Sequence, residues 1–260
     1  MTISLEQHNL EIHQNREFWN KKAVLRAVYS QFYREIAARL NPANRGLIVE
    51  LGSGIGNIKE HVPQCITTDI FPNPWLDRVE NAYELSFGDG TVDHLILFDV
   101  WRHLQHPGTA LREFARVLSP NGRIVIFEPA MGLVGWLVFG CFHHEPLGLE
   151  DDIEWEAPPD FSGRDCGYYA AQGNASRVFG STLFRDKLRM WRVAETKYFS
   201  GLAYVATGGF RGPQLYPITL LPCLNLMDAL LSTIPKLASR MLVVLEKRQP
   251  SEVRPADVES

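Results

Sequence analysis

Leu47-Ile48-Val49-Glu50-Leu51-Gly52-Ser53-Gly54-Ile55-Gly56 is the stretch on which the reading of this chain turns. A short apolar run that breaks into alternating glycines reads as a buried strand, then a tight turn that opens a helix. The same pattern continues downstream. Cys65–Asp69 and Asp93–Asp99 read as two further buried strands, and Pro107–Leu118 as a helix with Leu111, Phe114, Ala115 and Leu118 on one face. The turn Ser119-Pro120-Asn121-Gly122 leads into a β-branched run, Arg123–Phe127. Upstream, Leu25, Val28, Phe32, Ile36 and Leu40 recur at helical spacing within Glu17–Leu40, and Asn41-Pro42 closes that helix. Strands alternating with helices predict an α/β fold with a doubly wound, mostly parallel sheet.

Beyond Glu128-Pro129 the pattern loosens. Met131–Phe142 reads as a buried helix in preference to a lipid-facing surface, Phe184–Trp191 as a helix, and Arg192–Phe199 and Met241–Glu246 as strands. Residues 200–235, rich in glycine and proline, read as an insertion, and the last dozen as a solvated tail.

The glycine turn has chemistry of its own. Glycines let backbone N–H groups approach a ligand closely. Glu50, two positions before the first glycine, would repel a pyrophosphate but suits a ligand bearing an amine or a sulfonium. Asp69 follows nineteen residues later at the end of the next strand, where an acid can accept both hydroxyls of a ribose.

These residues resemble the class I S-adenosylmethionine-dependent methyltransferases, and the likeness extends over roughly residues 45–130. Asn81–Phe87, Asp89–Asp93, Phe98–Leu104, Leu111–Gly122 and Glu128-Pro129 follow in the order and spacing of that family, nearest to its small-molecule branch. The resemblance implies a seven-stranded Rossmann-like sheet with an N-terminal helix and C-terminal insertions as a cap. It divides the chain into a helical lid (1–44), a cofactor-binding core (45–130), cap segments with the remaining strands (131–247) and a tail (248–260).

It also implies roles. S-adenosyl-L-methionine is the expected cofactor, with Gly52, Ser53, Gly54 and Gly56 shaping its loop and Glu50 reaching its amino-acid end. Asp69 should hold the ribose. Ile70 should pack on adenine, and Asn81 and Ala82 should meet the ring edge, although Asn81 stands where the family usually has Asp. Phe98 should sit beside the methionine portion.

Methyl transfer from a sulfonium asks chiefly for positioning and exclusion of water, so these motifs identify the donor and leave the acceptor open. Three histidines are candidates for a base toward a hydroxyl: His144, His143 and His103. A structural role stands beside each. Phe142-His143-His144-Glu145 lacks metal-ligand spacing, so no metal is expected. Tyr29, Phe32 and Tyr33 serve either as core or as part of the lid. The uncharged segments 129–144 and 212–227 predict an apolar surface flanking the acceptor pocket, hence a small or lipid-like acceptor.

Composition limits the alternatives. Among 260 residues, 26 Lys+Arg against 30 Asp+Glu leave a net charge of -4, without the basic footprint of a nucleic-acid binder. No uncharged run reaches the ~18 residues of a membrane span, which leaves peripheral contact as the only membrane role considered. The N-terminus shows no export signal and the four cysteines no paired spacing, so a reducing cytoplasm is expected. Oligomeric state is not read from these features. A catalytically silent S-adenosylmethionine-binding partner or sensor is the competing function. A nicotinamide dehydrogenase is disfavoured, because Glu50 precedes the glycines and no GxGxxG follows.

Overall fold

The computed structural model describes residues 5–41, 46–141, 145–163 and 167–248. Seven strands, β1 (Leu47–Leu51), β2 (Ile66–Asp69), β3 (Arg78–Val79), β4 (Val92–Phe98), β5 (Leu118–Pro129), β6 (Trp191–Phe199) and β7 (Arg240–Lys247), form one sheet in the order β3-β2-β1-β4-β5-β7-β6. The first five strands pair in parallel; β7 runs antiparallel to both β5 and β6. The expected doubly wound, mostly parallel sheet is therefore present.

Alternation along the strands builds a core on each face. Leu95 and Leu97 of β4 and Ile124 and Ile126 of β5 pack with Leu111 and Phe114 of α3 (Pro107–Val117). The intervening Ile96, Phe98, Val125 and Phe127 turn to the opposite face and meet Val28, Phe32 and Ile36 of α2 (Ala23–Ala37). α5 (Asn174–Phe179) adds to the first face, and α6 (Leu202–Ala206) and α7 (Leu221–Leu231) adjoin the second.

Several local expectations are corrected. The N-terminal helix is two helices, α1 (Leu5–Lys21) and α2, broken at Lys22. Lys22 reaches across to backbone carbonyls of the 200–235 insertion, with its Nζ 2.7 Å from the Gly209 oxygen. After Gly56 there is a single 3-10 turn, Asn57–Glu60, because Pro63 stops further helix. Phe184–Trp191 holds only a 3-10 turn, Arg185–Leu188, and Trp191 already opens β6. Ser119–Gly122 is absorbed into β5 as an irregularity, since Leu118 pairs with Val92 but Arg123 with His94. The short β3, invisible in the sequence pattern, completes the sheet edge.

Met131–Phe142 was expected to be buried. Its helix, α4 (Leu133–Cys141), instead buries only Gly135 and Phe139 and leaves Leu133, Trp136 and Leu137 in solvent. No helix among the described residues is long and apolar enough to cross a membrane.

Candidate active site

The carboxyl ends of β1, β2 and β4 open onto a cavity of about 290 Å³. Such a crevice at the switch point of a parallel sheet is where this class of fold binds ligands. Between β1 and the 3-10 turn, Gly52, Gly54 and Gly56 adopt φ of 62°, 52° and 76°, which L side chains rarely take. A Cβ on Gly52 would lie 2.5 Å from Val100, whereas one on Gly54 would meet nothing within 4 Å. The turn thus offers bare backbone to open space at Gly54. Gly56 is set back from the cavity, against Trp75 and Leu76.

Ser53 ties this turn to the neighbouring strand. Its N–H donates to the Thr68 oxygen at 2.7 Å, and its Oγ accepts from the Thr68 N–H at 3.1 Å. Asp69 faces the turn from the end of β2, where its Oδ2 accepts from the Gly54 N–H at 3.0 Å. Burial pushes the Asp69 carboxyl up, against the backbone N–H groups that hold the charged form.

Glu50 is 2% exposed, and its Oε2 has no hydrogen-bond partner among the described residues. Burial, and secondarily Asp69, raise its pKa to about 8, with Ser53 opposing. A buried carboxylate without a cation is costly in an otherwise satisfied core. Its situation fits a site whose cationic group arrives with the ligand. The open backbone at Gly54 and the acid at the end of β2 fit the ribose and amino-acid parts of S-adenosylmethionine.

The other expected contacts are distributed around the same cavity. Ile70, Ala82 and Phe98 line it, as does Asn81. Asn81 is already engaged: Oδ1 accepts from the Tyr83 N–H at 2.9 Å, and Nδ2 donates to the Gly163 oxygen at 2.6 Å. Its first role is to hold the 81–84 turn against the 163 region.

The far wall comes from segments distant in sequence: His8 of α1, Tyr29 and Tyr33 of α2, Tyr168 and Tyr169, and Phe210. Tyr29 stacks on Phe98 with centroids 5.4 Å apart and meets Phe210 at 5.6 Å. Neither the Tyr29 nor the Tyr33 hydroxyl has a hydrogen-bond partner among the described residues, and burial pushes both well above the usual phenol range. Phe32 packs away from the cavity against Phe127. The two readings of this aromatic group therefore divide by residue. The described residues of the uncharged segments, 129–141 and 212–227, do not line the cavity, and its apolar wall comes from α2, Phe98 and Phe210.

His103 lines the cavity, while His143 and His144 lie outside the described residues. The His103 Nδ1 stands 2.8 Å from the Tyr169 carbonyl oxygen, which can only accept. Nδ1 must therefore carry the proton, leaving Nε2 with its lone pair and no partner among the described residues. Burial, and then Arg102, lower the His103 pKa to about 4, so the ring is neutral at ordinary pH.

Beneath the cavity lies a charge network that the sequence reading did not anticipate. Asp99, at the end of β4 with φ 61°, pairs with Arg102 at 2.8 Å and with the buried Arg240 of β7. Burial works to raise Asp99, but Arg240 and Arg102 hold it below the usual carboxylate range. Arg102 also faces Glu145, its Nε 3.3 Å from Oε2, and Glu128, at 3.7 Å. Glu128 accepts from the Trp101 N–H at 2.6 Å, and Tyr168 and Gln172 both donate to Glu145. One signal was available: an arginine opening the apolar run Met241–Glu246 needs an acid if the strand is central. Among the described residues no cluster of three His, Cys, Asp or Glu could hold a metal ion.

Residues 49–126 match the family described as a methyltransferase domain. No curated protein is significantly similar to the chain in sequence. Among solved structures, the chain resembles one titled as a complex of the Haloferax volcanii Trm112 methyltransferase activator and a putative methyltransferase. The TM-score there is 0.54 at 14% identity, over 94% of this chain and 97% of that one. A geranyl diphosphate methyltransferase, solved with GPP and sinefungin, gives 0.50 at 12% identity, over 84% of this chain and 77% of that one. At such identities the likeness concerns the fold.

Proposed function

We propose that this chain, which belongs through residues 49–126 to the class I S-adenosylmethionine-dependent methyltransferases, methylates a hydroxyl of a small or lipid-like metabolite. The observation that carries the reading is a buried Glu50 oxygen, without a partner among the described residues, beside a glycine turn that is sterically open at Gly54. S-adenosylmethionine supplies an activated methyl group when bound. Glu50 would hold its amino group, Asp69 its ribose hydroxyls, and Ile70, Ala82 and Asn81 its adenine.

The acceptor side follows from the opposite wall. Tyr29, Tyr33, Phe98 and Phe210 present aromatic surface that suits a largely apolar molecule. His103 would take the acceptor's proton at Nε2 while Nδ1–H stays on the Tyr169 carbonyl, which fixes the tautomer. The His103 pKa of about 4 leaves the ring neutral with the Nε2 lone pair free at ordinary pH, though as a weaker base than an ordinary histidine. Lids from residues 1–44 and 131–247 would exclude water, since α1, α2, Tyr168 and Phe210 all reach the cavity. A reducing cytoplasm is part of this reading and is supported by free Cys65, Cys141 and Cys223.

The test is transfer itself. Methyl-labelled donor, incubated with the purified chain and with aqueous and lipid extracts, should yield a labelled product retained by the lipid fraction. Calorimetry should show S-adenosylhomocysteine binding. Binding without transfer to any fraction would favour the silent sensor over the enzyme.

A further inference from the structure

From Gly212 to Pro235 the only charged residue is Asp228, and it is turned inward. Its carboxylate accepts from the Leu202 and Ala203 N–H groups at 2.6 and 2.9 Å and from the Ser200 hydroxyl, capping the start of α6. The leucines of the same helix face out: Leu226 is 65% exposed and Leu230 64%. Met227, Ile234, Leu220 and Ile218 are exposed beside them. α7 thus carries its polarity inverted, acid inside and apolar stripe outside, opposite to a helix made to face water.

A second element behaves alike. α4 exposes Leu133 at 66% and Trp136 at 52%, and it has no charged residue. It is seated on the turn after α7, for a Cβ on Gly132 would lie 2.5 Å from the Ala238 oxygen. Large exposed apolar patches mark interaction sites, and here the chemistry narrows the partner. A protein interface carries about one hydrogen bond per 100–200 Å² and is only some 56–65% apolar. The outward side chains of α4 and α7 offer no charge. A half-exposed tryptophan with leucines is the surface that a lipid–water boundary accepts. The patch backs onto the cavity wall, because Leu221 and Leu224 of α7 pack in the same apolar cluster as Phe210.

We propose that α4 and the 215–235 segment form a docking face that inserts shallowly into a lipid bilayer. Insertion rests on apolar contact, so it needs neither anionic lipid nor low salt. It stands independently of the methyl-transfer reading.

Sedimentation of the whole chain with phosphatidylcholine vesicles tests it, at ~0.15 M and ~1 M salt, where screening lengths differ severalfold. Binding should be equal at both, and vesicles of brominated phosphatidylcholine should quench fluorescence that Trp136→Phe removes. The double variant Leu226→Glu, Leu230→Glu should lower partition about 100-fold, at about tenfold per leucine. Its unchanged calorimetric affinity for S-adenosylhomocysteine would show the fold intact. Three outcomes would overturn the proposal: a chain that stays in the supernatant, binding confined to anionic vesicles and lost in salt, or a dimer in light scattering that the double variant dissociates while vesicles bind neither form.

Discussion

Two sets of buried carboxylates lie at and beneath one cavity, and they differ in whether arginine stands beside them. At the glycine turn, Glu50 and Asp69 form no ion pair among the described residues, and burial raises both. At the acceptor side, Asp99, Glu128 and Glu145 surround Arg102, and Asp99 also takes Arg240. The difference separates ligand site from architecture. On the proposed reading Glu50 waits for charge brought by a ligand, whereas two arginines set among three acids tie the end of β4, Glu145 and β7 together, with burial still raising Glu128 to about 8.

The comparison can be broken most forcefully at Arg240. Arg240→Met leaves Asp99 with one partner fewer in a buried site, and the cost should be about 3–5 kcal/mol in denaturant unfolding. A loss under about 1 kcal/mol would mean that the network is not structural. His103→Gln should lower turnover about 100-fold or more while leaving affinity for S-adenosylhomocysteine unchanged. Equal loss of both would return His103 to a structural role.

Glu50→Gln should act with opposite signs on binding and stability. Losing a charged hydrogen bond should weaken binding of the donor or its product by roughly 1.5–3 kcal/mol. Glu50's folded pKa of about 8 lies above its ordinary value of 4.5, so its contribution to stability is present in acid and lost as pH rises from 4.5 through 8. The variant without ligand should therefore be more stable than the parent at pH above 8, by on the order of 2 kcal/mol. A variant less stable at that pH would show that Glu50 is satisfied within the fold.

His103 contributes a gentler slope of the other sign. Its folded pKa of about 4 lies below the ordinary 6.5, so its share of stability is present above 6.5 and lost as pH falls toward 4. His103→Gln should flatten thermal unfolding temperature over that window; an unchanged slope would remove His103 as its source. The smallest effect is expected at Tyr33. Removing a hydroxyl that has no partner among the described residues, as in Tyr33→Phe, should change stability by less than about 1 kcal/mol, and a larger acceptor Michaelis constant would show that the hydroxyl meets the acceptor.

The half of the molecule around Glu50 was legible because its signals are local. A strand that ends in glycines must turn within a few residues, and the next strand end must lie beside it in a parallel sheet. Positive φ at Gly52, Gly54 and Gly56 is a demand that sequence can advertise. Helix lengths were less legible. Nothing in Glu17–Leu40 announces a break at Lys22, because the carbonyls it meets lie beyond residue 200. Met131–Phe142 misled for a related reason: an all-apolar helix has no polar face to tell which side is buried.

Local sequence set the alternation of strands and helices and the acid–glycine–acid spacing, and with the family resemblance these named the donor, since a strand that ends in glycines must turn within a few residues. Tertiary packing alone settled that His103 reaches the cavity, that Asp99 pairs with Arg240 across 141 positions, and that Asp228 points inward while its helix shows leucine to solvent. Those outcomes depend on where a side chain points once the sheet has closed. Burial and pairing energies act only between groups already brought together, so no local pattern can carry them.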